Sequence, residues 1–151
     1  MQFIKFHKGI FALQAALVQA RTDIPTVKVY YGGTGSGKSF SAREWLPNAY
    51  IWHPQMGQWF DGYQGHKQVI LEEFRGQLPF GMLLSLLDRY CCKVQYKGGA
   101  IEFAAMQIAI TSPIHPKDWY WSLQEGDKYD QLARRISEMV HCKAAENKQQ
   151  Q

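Results

Sequence analysis

Gly32-Gly33-Thr34-Gly35-Ser36-Gly37-Lys38-Ser39 spells a complete G-x-x-x-x-G-K-S phosphate loop and lies directly behind the apolar run Val27, Val29, Tyr30, Tyr31. Strand, glycine loop, helix is the order in which this motif holds phosphate. The glycines let the backbone curl so that successive N–H groups turn inward toward a triphosphate, and the following helix adds its free N-terminal donors and the positive end of its dipole. Lys38 is placed to reach the β- and γ-phosphates, and Ser39 to ligand Mg²⁺. A turn that merely joined a strand to a helix would not need the lysine, the hydroxyl and the glycines at these offsets. The loop selects nucleotide binding, but alone it does not separate a kinase from a motor or a switch.

Outward from the loop, Gln68 to Phe74 is the second informative stretch. Val69, Ile70 and Leu71 form the continuous apolar run of a strand buried on both faces, and the run ends in Glu72-Glu73. An ATPase needs a metal across the β- and γ-phosphates and a group that orients and deprotonates the attacking water. Glu72 is assigned to Mg²⁺, through a water, and Glu73 to the base. Gln107 to Thr111 reads as another buried strand closed by Ser112-Pro113, so Thr111 and Ser112 become candidates for sensing the γ-phosphate. Arg134 and Arg135 fall in a predicted helix from Tyr129 to Ile136; one of them is the candidate arginine finger that a neighbouring subunit would receive.

The remaining segments frame this core. Ile10, Leu13, Leu17 and Val18 recur at helical spacing over Lys8 to Ala20, and Thr22-Asp23-Ile24-Pro25 ends that helix. A helix is expected from Ser39 to Leu46, a strand from Ala49 to Trp52, a loop from Pro54 to Gly65, and a helix marked by Leu83, Leu84, Leu86 and Leu87. Lys93 to Tyr96 and Ala100 to Phe103 predict a hairpin whose tip is Lys97-Gly98-Gly99. Pro116 to Trp121 reads as a helix, Glu138 to Cys142 as a strand, and Lys143 to Gln151 as a polar, disordered tail.

Composition bounds the function further. The 151 residues, 46% of them apolar, can bury one substantial core. No stretch approaches a membrane span, and Lys5, His7 and Lys8 interrupt what would be a signal-peptide core, so a soluble protein without a membrane partner is expected. Cys91, Cys92 and Cys142 have no C-x-x-C spacing and indicate neither a disulfide framework nor a zinc site. The net charge of +4 is compatible with a polyanionic partner without requiring one.

Taken in order, the phosphate loop, Trp59-Phe60-Asp61-Gly62-Tyr63-Gln64-Gly65, Val69 to Gly76 with Leu78-Pro79, Asp88-Arg89-Tyr90, the Lys97-Gly98-Gly99 turn, Ile110-Thr111-Ser112 with Trp119-Tyr120, and Leu132 to Ile136 resemble the superfamily 3 helicase domain of replication-initiator (Rep) proteins from circovirus-like single-stranded DNA viruses. The resemblance runs from about Phe3 to Lys143. It implies an α/β, three-layer P-loop NTPase of AAA+-like type with a mainly parallel central sheet. It divides the chain into a helical oligomerisation segment at 1–24, an ATPase domain at 25–143 and a disordered tail at 144–151. It further implies a homo-oligomer, commonly a hexameric ring, that hydrolyses ATP with Mg²⁺, encircles single-stranded DNA and moves 3′ to 5′, in the nucleus of the host cell. Lys97, with Gly98 and Gly99 allowing close approach, would touch DNA phosphates in the central channel.

Three departures from the family pattern stand out. The metal carboxylate is usually an aspartate where this chain has Glu72, and the sensor strand often ends in an asparagine where it has Pro113, so water positioning would fall to Thr111, Ser112 or His115. The nicking endonuclease that normally precedes the helicase is not recognisable, because His7, His53, His66, His115 and His141 stand apart from one another. A helicase fragment or short relative without nicking activity is therefore expected. The competing readings are a nucleotide-binding ring or scaffold that does not hydrolyse, favoured by Pro113, and a small-molecule kinase, disfavoured by the lack of an arginine-rich lid.

Overall fold

The computed structural model describes residues 9–10 and 12–144. Its centre is a five-stranded, entirely parallel sheet in the order β2-β3-β6-β1-β7, formed by β1 (Thr26–Tyr31), β2 (Tyr50–Trp52), β3 (Gln68–Leu71), β6 (Gln107–Ser112) and β7 (Glu138–His141). A separate antiparallel hairpin pairs β4 (Lys93–Tyr96) with β5 (Gly99–Glu102). Besides the leading helical segment described below, there are three short helices, α1 (Lys38–Trp45), α2 (Phe80–Leu86) and α3 (Lys128–Ala133), and 3₁₀ turns at Pro54–Met56, Pro116–Asp118 and Trp121–Gln124.

Strand alternation sorts the core into two layers. Val27, Val29, Val69, Leu71, Ile108 and Ile110 face one side and pack with Trp52, Phe60, Tyr63, Phe74, Leu83, Phe103 and Trp119. Tyr30, Ile70 and Ala109 face the other, where Ala42 and Leu46 of the α1 segment cover them. The small Ala109 on the central strand lets α1 lie close to the sheet. This is the expected three-layer α/β arrangement, with the inner strands apolar on both faces.

Several elements are shorter than their sequence patterns predict. The leading helix is helical at 9–10 and 12–16 and ends in a turn at 17, before the predicted Ala20. The first eight residues and residue 11 of that segment, and the tail beyond 144, lie outside the described residues. In place of one helix from Pro116 to Trp121 there are two 3₁₀ turns, separated by the extended Tyr120. The helix predicted to contain Arg134 and Arg135 stops at Ala133, so Arg134 is its C-cap and Arg135 lies past its end.

Arg21, which carries no obvious signal in the sequence, locks the leading segment to the core. It is only 4% exposed and donates to the carbonyls of Leu86 and Ser85, both at 2.6 Å, while its guanidinium stands over the Phe103 ring. These carbonyls belong to the last turn of α2, where a cation is favoured; the Ser85 carbonyl also accepts from the Asp88 N–H (3.3 Å). Arg21→Met is expected to cost about 1–3 kcal/mol of stability, because it takes a buried donor from the Leu86 carbonyl rather than merely removing a charge. Urea unfolding of the two proteins measures the difference, and an unchanged midpoint would show that the cap carries no weight.

Candidate functional site

Parallel pairing puts the C-terminal ends of β1, β6 and β3 side by side on one edge of the sheet. Tyr30 is in register with Thr111, and Leu71 with Ile110, so the loop leaving β1 and the acidic turn leaving β3 flank the end of β6. Ligands of parallel α/β sheets bind at this edge. A cleft of about 240 Å³ opens there, lined by the loop residues from Thr34 to Ser39 and by Phe40, Glu73, Arg75 and Pro113.

The loop is built to approach a ligand with its backbone. Gly32 has φ +154°, and a Cβ there would lie 2.0 Å from the Cys142 carbonyl, so the chain leaving β7 can cross the start of the loop only over a glycine. Gly35 and Gly37 also take positive φ, and α1 begins with neither a side-chain cap nor an acidic residue in its first turn. Its first N–H groups are thus available to an anion. Lys38 is buried and donates from Nζ to the carbonyls of Gly32 (2.9 Å) and Gly33 (3.2 Å), and the Ser36 Oγ is buried without a hydrogen bond.

Glu72 and Glu73 sit differently although they are adjacent. Glu72 follows Ile70 on the α1 face, is 4% exposed, and accepts through Oε2 from Ser39 Oγ (2.8 Å) and Thr111 Oγ1 (3.0 Å). Its Oε1 is buried without a hydrogen bond, 3.5 Å from Arg43 Nε. Arg43, four residues beyond Ser39 on the same helix face, has a sequence signal only once that face is known. Ser39 gives its hydrogen to Glu72 and keeps its oxygen lone pairs, so the hydroxyl and the carboxylate form an all-oxygen donor set suited to a hard cation such as Mg²⁺. Mg²⁺ commonly takes few protein ligands and keeps its waters. The residues present fit it.

Strand alternation would send Glu73 to the face opposite Glu72. Instead its backbone adopts φ +52°, the one left-handed non-glycine among the described residues, and the residue lines the cleft. Such a conformation costs about 1 kcal/mol or more and persists only where neighbours enforce it. Here Glu73 N–H donates to Thr111 Oγ1 (2.9 Å), Phe74 N–H to the Thr111 carbonyl (2.8 Å), and Gln77 Nε2 to the Glu73 carbonyl (3.3 Å).

The other predicted residues separate clearly. The Thr111 hydroxyl is committed to the two glutamates. The Ser112 Oγ accepts from Trp119 Nε1 (2.8 Å) and Ile114 N–H (3.2 Å) on the opposite face of the sheet, and His115 Nδ1 accepts from Lys117 N–H. Neither Ser112 nor His115 lines the cleft; Pro113 does. Arg135 donates to Asp88 Oδ2 (2.9 Å) and to the Gln131 carbonyl (2.6 Å), whereas the Arg134 side chain is exposed and has no partner among the described residues. Lys97 is exposed on the hairpin turn with Gly98, and its N–H is tied to Asp61 Oδ1 at 2.8 Å. Gly99 opens β5 rather than the turn, and a Cβ there would lie 2.7 Å from the Tyr96 hydroxyl.

A parallel sheet in this order, carrying a phosphate loop beside an acidic strand end, defines a P-loop ATPase fold of AAA+ type. The Saccharomyces cerevisiae Hsp104–ADP complex aligns with 91% of this chain and 32% of its own at a TM-score of 0.54 and 13% identity, a likeness of fold alone. By sequence the chain is similar to the replication-associated proteins of circoviruses. That of goose circovirus is 40% identical over 119 residues, 78% of this chain and 40% of that protein. The replication-associated proteins of porcine circovirus 1 and porcine circovirus 2 are 40% and 36% identical over 85% and 95% of this chain, and 41% and 46% of their own length. The chain thus spans less than half of these curated relatives. No family model matches it.

Thr111 joins both carboxylates through one oxygen, which makes it testable apart from activity. Thr111→Val keeps the shape but strands the Glu73 N–H and removes a donor from Glu72, at an expected cost of about 1–3 kcal/mol in urea unfolding. Thr111→Ser should recover most of it. Equal stability of the valine and wild-type proteins would show that the hydroxyl does not hold this turn.

Proposed function

We propose that this chain is the ATP-driven motor module of a viral replication initiator, a superfamily 3 helicase domain that turns over ATP between subunits of a ring and translocates on single-stranded DNA, 3′ to 5′, in the host nucleus. One observation carries the reading: a phosphate loop, a buried carboxylate bonded to its serine and a second carboxylate re-aimed into the same cleft lie on one edge of the sheet. Loop N–H groups bind the β- and γ-phosphates, and Lys38 exchanges two backbone carbonyls for phosphate oxygens. Ser39 and Glu72 would hold Mg²⁺, which would supply charge neutralisation at the phosphates when bound. Glu73 orients a water and accepts its proton as the water oxygen bonds to the γ-phosphorus. The bond to the β–γ bridging oxygen breaks, and ADP leaves with the electron pair.

Assembly rests on two features. Ile10 and Leu13 on the leading helix and Leu17 in the turn that ends it leave an apolar stripe exposed, and the Arg134 side chain at the end of α3 has no partner among the described residues. Lys97, exposed at the hairpin tip, suits a sequence-blind phosphate contact in the channel of such a ring. A non-hydrolysing ring or scaffold is the second reading, favoured because Pro113 presents no donor to the cleft.

ATP turnover with and without single-stranded DNA decides between the two. The wild-type protein should hydrolyse ATP, faster with DNA; Lys38→Ala should abolish turnover; Glu73→Gln should still bind ATP but lose about 10²-fold or more in rate. Nucleotide held intact by the wild-type chain would instead establish the scaffold.

The two arginines give a separate test. Arg134→Ala should be inactive alone and regain activity when mixed with Glu73→Gln subunits, whose intact arginine completes the neighbouring site. Arg135→Ala, which breaks the Asp88 pair, should lose stability without such rescue. The reverse pattern would assign the finger to Arg135.

A further inference from the structure

Arg75 belongs to the cleft but to none of the roles above. It follows Glu73 by two residues, is exposed, and its guanidinium has neither hydrogen bond nor ion pair among the described residues, although it lines the space between the loop and Pro113. The turn that carries it is fixed at several points. Gln77 Oε1 accepts from the Arg75 N–H (2.6 Å) while Gln77 Nε2 donates to the Glu73 carbonyl, so one amide clamps both sides of the turn. Gly76 has φ +91°, and a Cβ there would come within 2.1 Å of the Trp119 carbonyl, which fixes the next residue against the core. Phe74, on the other side, is fully buried.

A freely solvated arginine needs no such foundation. Charge gives this one a purpose: among the described residues, Lys38 and Arg75 are the cations lining the cleft, Glu73 is its anion, and Pro113 in the same lining has no N–H. A terminal phosphate arriving beside Glu73 meets a like charge, which Arg75, two residues on and lining the same cleft, can offset. A guanidinium also offers paired donors to phosphate oxygens.

We propose that Arg75 contacts the terminal phosphate of a nucleoside triphosphate bound to its own chain, so that this residue distinguishes triphosphate from diphosphate. The inference rests on the phosphate-loop reading above and deepens it.

Equilibrium binding of a β,γ-imido ATP analogue and of ADP to the full chain tests it. Arg75→Ala should weaken the analogue by about 10- to 100-fold, the weight of a charge-assisted contact, and leave ADP affinity unchanged. Arg75→Lys, which keeps the charge but loses the fork, should fall between. Equal losses for both nucleotides, or none for either, would overturn the proposal while leaving the phosphate-loop reading intact. Rescue of Arg75→Ala turnover by mixing with Glu73→Gln subunits would overturn it too, by making the contact one between chains. Failure of the wild-type chain to bind either nucleotide would remove both readings together.

Discussion

The register of β6 between β1 and β3 is the constraint on which the site depends. All three strands run parallel, so their exits share one edge, and pairing Thr111 with Tyr30 on one side and Ile110 with Leu71 on the other leaves no slack between loop and acidic turn. A slip by one residue would invert every side chain of β6. Ile108 and Ile110 would then meet α1, and Thr111 would leave the glutamates for Trp119. The apolar pattern that builds the core therefore also fixes the chemistry, because the two faces are not interchangeable: Ala109 is the small residue that α1 can cover.

Within that frame, one hydroxyl does what two separate contacts would otherwise have to do. Thr111 Oγ1 donates to Glu72 and accepts from the Glu73 N–H, which uses its single hydrogen and one of its lone pairs on the two adjacent residues. A single carboxylate oxygen of Glu72, Oε2, receives both Ser39 and Thr111. The left-handed turn at Glu73 is held by the same residue, since Phe74 N–H binds the Thr111 carbonyl. Local strain at Glu73 is thus balanced by regular pairing one residue away.

How legible this was in the sequence depends on the kind of information each residue carries. The phosphate loop and the run Val69-Ile70-Leu71 were readable because fixed spacing and continuous burial are one-dimensional signals. Thr111 and Ser112 could not be ranked from composition, yet alternation separates them: counted with Ile108 and Ile110, Ser112 belongs to the Trp119 face and Thr111 to the α1 face. Arg134 and Arg135 divide at a helix end that the apolar period overshot by several residues. Arg21, Arg43 and Gln77 were out of reach, since each acts on a partner whose position only the fold supplies: carbonyls at the end of α2, a carboxylate across the sheet edge, a turn clamped at both ends. Gly32 lies between these cases. Its place in the motif is legible, but the close passage of Cys142 that forbids a side chain there is not.

That passage links nucleotide binding to the far edge of the sheet. The backbone after β7 bonds to β1 through Cys142 N–H and the Tyr31 carbonyl (2.7 Å) and lies over Gly32, the residue whose carbonyl also receives Lys38. Under the proposed nucleotide binding, a move of Lys38 from that carbonyl to a phosphate oxygen would take a charge-assisted partner from Gly32 at the point where the chain after β7 crosses it. The chain between α3 and β7 is short and carries Arg134 and Arg135 at its start, of which Arg135 is anchored to Asp88 and Arg134 is not. In the proposed ring, where a neighbour's arginine would complete each site, this backbone contact and the short chain from β7 back to α3 would join the phosphate loop to Arg134.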